Sequence, residues 1–312
     1  MDTSLPSPLA KALDDRWAKY RANLEACRQA FSEEAVHDAR VSTRRLLALV
    51  DLLQALPHSP PLKPLRRALK AHLDGYDDLR DTQVILLKVT EALDDVPELA
   101  FYRTYLQWRE TQLLQSVAQH LETLGQEELS QGIETARQFL QMPPEAETLL
   151  QSVDEAYAVA LRRYNKVDAS RPATIHRLRV AFKKLRYTLE ILKPFLPDFP
   201  ARLFKEMHDY QTAMGDIQDM EVLLAALADF AKRHASYDAG PARRYFQRVH
   251  ARTLYTYLDG MEQLHTFWRP TPESPFPWTA SPHRKKTAQR ERTQQNTAPV
   301  PDETDQEKGE TP

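Results

Sequence analysis

A single cysteine, Cys27, stands among 312 residues, so no internal disulfide can form and a Cys-rich zinc site is excluded. Glycine is scarce too, at 7. There is no G-x-x-x-x-G-K-S/T phosphate loop, and G-x-S-x-G, H-E-x-x-H and paired-Cys motifs are also missing. Val, Ile and Thr rarely alternate with period two, which leaves little from which to build a sheet. No apolar run approaches the ~20 residues that a membrane helix needs. The opening "MDTSLPSPLAKALDD" lacks the apolar core of a secretory signal. A soluble, reducing, cytoplasmic setting is therefore expected. Nor does one sign of charge dominate: 42 Lys and Arg face 44 Asp and Glu, for a net charge of −2. Nucleic-acid and polyanion binders are often globally basic. Any anion-binding role must here rest on where the charge sits.

What is present favours helix. Leu, Ala, Arg, Glu and Gln dominate, and the 22 prolines act mostly as punctuation between apolar-periodic stretches. Eight helical segments follow from that pattern: Leu9–Phe31, Glu33–Leu56, Leu62–Leu93, Glu98–Leu140, Glu145–Tyr164, Thr174–Phe195, Ala201–His234 and Pro241–Trp268. After Arg269 the pattern stops. The remainder, rich in Pro, Thr, Gln and charge, cannot bury enough apolar surface to offset chain entropy and reads as a disordered, solubilising tail. Its basic run "HRKKTAQRER" offers at most a weak extra polyanion contact.

The second helical segment opens "VHDARVSTRRLLALVDLL" and the sixth "IHRLRVAFKKLRYTLEIL". His37 and His176 are 139 residues apart (176 − 37). The same separation relates Arg40 to Arg179, Arg44 to Lys183, Arg45 to Lys184 and Asp51 to Glu190. "DDLRDTQVILL" from Asp77 is echoed by "GDIQDMEVLLA" from Gly215 at an offset of 138, and Arg67 pairs with Lys205 at that offset. Two echoes at nearly one offset read as a tandem duplication of a four-helix unit, two half-bundles about a pseudo-twofold axis.

On a helical wheel, Arg44 falls about 20° and Arg40 about 60° from His37, and the second copy repeats those angles. These residues make one basic stripe along about 10 Å of helix. Such a stripe repels itself, whereas ordinary exposed faces mix signs at i, i+4. The only acid on its line lies at the far end, Asp51 or Glu190. The missing negative charge must come either from acids of neighbouring helices, such as Asp78, Asp81, Asp216 and Asp219, or from a bound polyanion. Arginine's planar fork suits phosphate oxygens, lysine adds a point charge, and histidine donates when protonated. A merely solvated face has no need to repeat that register, so phosphate binding is the favoured reading. If the histidines contribute only when protonated, binding weakens above about pH 7.

Two alternatives differ in class. The His-Asp pairs at His37–Asp38 and His208–Asp209 suit an HD-like, metal-dependent phosphohydrolase, but the basic surroundings disfavour a divalent cation. A nucleic-acid binder would use the same stripes on phosphodiesters, against a near-neutral net charge. His72, His120, His234, His250 and His265 read as surface or satisfied histidines, and the Tyr and Trp residues as packing.

The two quoted helices, with the "LRDTQVILL" and "MGDIQDMEVLL" segments that follow them, resemble the CHAD domain, the conserved histidine α-helical domain. The resemblance spans nearly all of residues 7–268. It implies an all-α fold of two four-helix bundles around a basic central cavity, with binding of inorganic polyphosphate. The implied organisation is a CHAD domain over 1–268, with half-repeats about 7–142 and 143–268, and a tail over 269–312. The implied ligand residues are His37, Arg40, Arg44, Arg45 and Arg67 in the first half. In the second they are His176, Arg179, Lys183, Lys184, Arg186 and Lys205. Arg80 sits in the family's Arg-Asp element and reads as structural. Arg103, Arg109, Arg244, Arg248 and Arg252 do not match between halves and are weaker candidates. Leu47 stands where the second copy has Arg186, so the second half should be the more basic. Many relatives carry a triphosphatase domain with an E-x-E-x-K strand, and that motif is missing here. The expectation is a standalone, non-catalytic binding module with no metal, no cofactor and no membrane contact. Targeting to polyphosphate granules is one of its open roles, and protein partners are unassigned.

Overall fold

The computed structural model describes residues 7–30, 32–122, 125–142 and 144–279. Every described element is helical. The basic run at 283–292 and the rest of the tail from 280 lie outside the described residues.

Local chemistry sets the helix starts. Ser7 precedes α1 (Pro8–Gln29), and its hydroxyl accepts a hydrogen bond from the Ala10 amide at 3.2 Å. Ser32 does the same for Ala35 at 3.1 Å at the head of α2 (Glu33–Ala55). Leu56, before Pro57, is extended and ends that helix. The third segment of the sequence reading is two helices, α3 (Lys63–Asp74) and α4 (Asp77–Glu91), separated by Gly75 and Tyr76. Gly75 is pressed by His120: a Cβ there would lie 2.4 Å from the ring. Asp77 and Asp78 then fill the first turn of α4, where acids suit the helix dipole. The fourth segment is likewise divided, into α5 (Leu99–Glu122) and α6 (Gln126–Phe139).

The second half runs as read, through α7 (Ala146–Tyr164), α8 (Ala173–Leu192), α9 (Ala201–Arg233) and α10 (Gly240–Gly260). Short 3-10 turns follow α8 and α10.

Helices pair as α1 on α2, α4 on α5, α7 on α8 and α9 on α10. Across the halves, α2 packs on α8 and α4 on α9. The buried apolar residues form two cores. The larger draws on α1, α2, α3, α6, α7, α8 and the start of α9. The smaller fills the space between α4, α5, α9 and α10, with Val89, Leu99, Tyr102, Leu223 and Phe230. The smaller group therefore takes two helices from either half of the chain, and the larger draws on helices of both halves. The halves interlock rather than standing as separate bundles.

Within the larger core, His72 is fully buried between two tyrosines, with Nδ1 3.0 Å from Tyr20 Oη and Nε2 2.9 Å from Tyr76 Oη. Burial, helped by His120, pushes its pKa down to about 3, so it stays neutral and structural.

The segment from Arg269 to Thr279, placed with the tail in the sequence reading, packs instead on this core. Asp154 of α7 accepts from Trp268 Nε1 at 2.7 Å and from Arg269 Nη2 at 2.6 Å. Phe276 and Trp278 stack on each other with ring centroids 4.7 Å apart and lean on Trp268. Three aromatic rings sealed by a charged pair supply the buried surface that the local composition did not announce.

Candidate polyanion-binding site

The contact of α2 with α8 brings the two basic stripes together. Burial and the charges of Arg44, Arg179 and Arg40 push the Lys183 ammonium down to about 8, with Asp77 opposing them. Burial lowers Arg179 as well, with Asp219 opposing and Arg44 adding repulsion. Arg40 is lowered by burial and by Arg44, against the pull of Asp77. One arginine of the first copy therefore faces the Arg–Lys pair of the second across the helix contact. Arg44, Arg179 and Lys183 each make no direct ion pair or side-chain hydrogen bond to a described residue. Arg179 Nε is buried with no partner.

Of the two sources of counter-charge weighed from the sequence, the neighbouring acids do reach this centre. Asp77 and Asp81 enter from α4, Asp216 and Asp219 from α9. Burial raises the Asp81 pKa, and repulsion from Asp77 and Asp219 raises it further, against the pull of Arg40. Burial raises Asp219 too, opposed by Lys88 and Arg179. Arg80, read from the sequence as structural, interacts with both Arg40 and Asp219 and so belongs to the same centre. The sequence reading set it apart as structural, through pairing with acids; its counterpart in the second copy is Gln218.

Arg40 and Arg179 hold equivalent places in the repeat and differ in environment. Arg40 is 8% exposed. Its Nη1 donates to Asp77 Oδ1 at 3.1 Å and to the Leu73 carbonyl at 3.3 Å, and its guanidinium lies 5.9 Å from the Tyr76 ring centroid. Arg179 lies over Gly215 of the unbroken α9, where a Cβ would sit 3.5 Å from its Nε.

The remaining expected ligands are dispersed. His37 and His176 are exposed, as are Lys184 and Arg67. Arg45 is exposed, and its charge bears on Arg16 of α1. Arg186 is held by Gln211 at 2.9 Å and Glu190 at 2.7 Å. Lys205 is exposed and paired with Asp209 at 2.6 Å. The far-end acids of the stripes are engaged as well, Asp51 with Arg66 and Glu190 with Arg186. Glu221 and His250 approach to 3.8 Å beside His176.

One groove of about 610 Å³ runs along α1 and α6, and another of about 190 Å³ lies between α4, α5 and α9. Neither is lined by Arg44, Arg179 or Lys183, so the basic centre is marked by its charge and not by either groove. Among the described residues no group of three or more His, Cys, Asp or Glu is placed to hold a metal ion. No described helix is long and apolar enough to cross a membrane.

The model of the CHAD domain family matches residues 11–228. The fold is similar to the crystal structure of the CHAD domain from the plant Ricinus communis, with a TM-score of 0.62 at 20% identity. That match covers 84% of this chain and 90% of the other. It is also similar to PptA from Streptomyces chartreusis, with a TM-score of 0.62 at 17% identity over 83% of this chain and 99% of the other. At such identities the likeness establishes the all-helical fold. No curated protein matches the sequence.

Proposed function

The chain belongs to the CHAD domain family, and on that premise we propose that it binds inorganic polyphosphate without transforming it. The observation that carries the reading is the convergence of Arg44 with Arg179 and Lys183 at the α2–α8 contact, where burial first and like charge second push the Lys183 ammonium down to about 8. Burial and like charges make the empty site costly. A phosphate chain laid along the α2–α8 contact relieves both, by charge-assisted hydrogen bonds to the arginines and by favouring the protonated lysine. The exposed His37 and His176, one turn before Arg40 and Arg179, extend the path for a long ligand. Much of the affinity then comes from counterion release and falls steeply with salt.

A competition assay tests this reading. Fluorescent polyphosphate is displaced from the whole chain by unlabelled polyphosphate or by duplex DNA at one fixed salt concentration, and orthophosphate release is followed with added Mg²⁺. The expected result is displacement by polyphosphate at far lower phosphate concentration than by DNA, with no orthophosphate released. Equal displacement favours the nucleic-acid reading. Metal-dependent release favours the phosphohydrolase.

A further inference from the structure

The repeat places Arg40 and Arg179 in register, yet the chain has broken that equivalence. In the first copy the helix is interrupted at Gly75 and Tyr76. The interruption leaves the Leu73 carbonyl at the end of α3, where it accepts the Tyr76 amide at 3.0 Å and keeps a lone pair open to a side chain, and starts a new helix whose first residue is an acid. Arg40 meets both consequences, donating to Leu73 O at 3.3 Å and Asp77 Oδ1 at 3.1 Å. In the second copy α9 continues unbroken past Gly215. Its carbonyls there are used within the helix, so Arg179 finds none to bind, and its Nε is left buried without a partner.

The geometry points to a division of labour: Arg40 is a positioning residue that clamps the α3–α4 corner, while Arg179, with Lys183 and Arg44, contacts the phosphates. This rests on the polyphosphate reading and sharpens it, since the second half of the chain becomes the anchor. A guanidinium already held by a carboxylate and a carbonyl offers little to a ligand until those bonds break. One lacking such partners offers its full charge. The loss of Arg179 therefore removes one phosphate contact, and the loss of Arg40 removes a corner brace.

The test compares Arg40→Gln with Arg179→Gln in the whole chain; glutamine keeps a donor at each site and removes the charge. Polyphosphate affinity is measured at several salt concentrations, and thermal unfolding in parallel. Arg179→Gln should weaken binding about tenfold and reduce the slope of log affinity against log salt by about one, with unchanged melting. Arg40→Gln should keep the parent's slope and melt about 3 °C lower. In an Asp77→Asn background Arg40 is released from its carboxylate, and there Arg40→Gln should lower the slope too. The division of labour is overturned if Arg40→Gln lowers the slope as far as Arg179→Gln does in the parent background, or if neither variant lowers it. Should the parent show no salt-dependent binding at all, the polyphosphate reading falls and this inference with it. Binding by the parent with equal losses in both variants removes the inference alone.

Discussion

Lys183 is the residue at which the site's electrostatics become measurable. Its ordinary pKa of 10.5 is pushed down to about 8 by burial and by Arg44, Arg179 and Arg40. The free site is therefore fully charged below that value and loses one cation as pH rises through it. A bound phosphate favours the protonated form. Affinity at constant ionic strength should thus fall between about pH 7 and pH 9, and a Lys183→Arg variant should hold its affinity across that range. Binding that is flat in the parent, or that falls equally in both proteins, would contradict the role given to Lys183. The sequence expectation assigned the pH dependence to His37 and His176, which are exposed. Helical spacing showed that Arg40, Arg44, Arg179 and Lys183 share a face, because periodicity fixes angle about an axis. It did not show which of them a neighbouring helix would neutralise. The bond from Asp77 to Arg40, the charge of Arg45 beside Arg16, and the place of Arg80 all depend on how helices distant in sequence come together.

At the scale of the helix, seven scarce glycines carry more information than their number suggests. Gly132 of α6 faces Leu65 of α3, where an added Cβ would sit 2.7 Å from the leucine Cβ. Both atoms are fixed to backbone, so the helices must separate. Gly132→Ala should cost stability by roughly 1–3 kcal/mol through overpacking, more than the ~1 kcal/mol that alanine returns in helix propensity. Gly215→Ala, whose Cβ would make ordinary contacts with Arg179, should be neutral or stabilising. Urea melts of both variants check this, and a Gly132→Ala protein as stable as the parent would refute the close approach of α3 and α6. The breaks within the third and fourth segments escaped the sequence because apolar periodicity continues through them. Gly75 adopts ordinary right-handed geometry, and the ring of His120, from a distant helix, is what presses on it.

For the whole molecule, the pairing of α2 with α8 and α4 with α9 unites the two echoing halves. The all-helical class and the places of most helices were legible from composition and proline punctuation. The interlocking was not, since a repeat in sequence does not say which copies of a helix will pack together. The residues after Arg269 show the same limit: Phe276 and Trp278 are too few to make a periodic pattern, yet with Trp268 they close an edge of the larger core.

The account's central claim is that cations from both halves form one polyphosphate site. The most direct measurement is polyphosphate affinity of the whole chain beside a variant carrying Arg44→Gln, Arg179→Gln and Lys183→Gln, with circular dichroism to verify that both are equally helical. The account predicts tight, salt-sensitive binding by the parent and a loss of at least a hundredfold in the variant, about two contacts' worth of charge-assisted bonding or more. A folded variant that binds as well as the parent would contradict it.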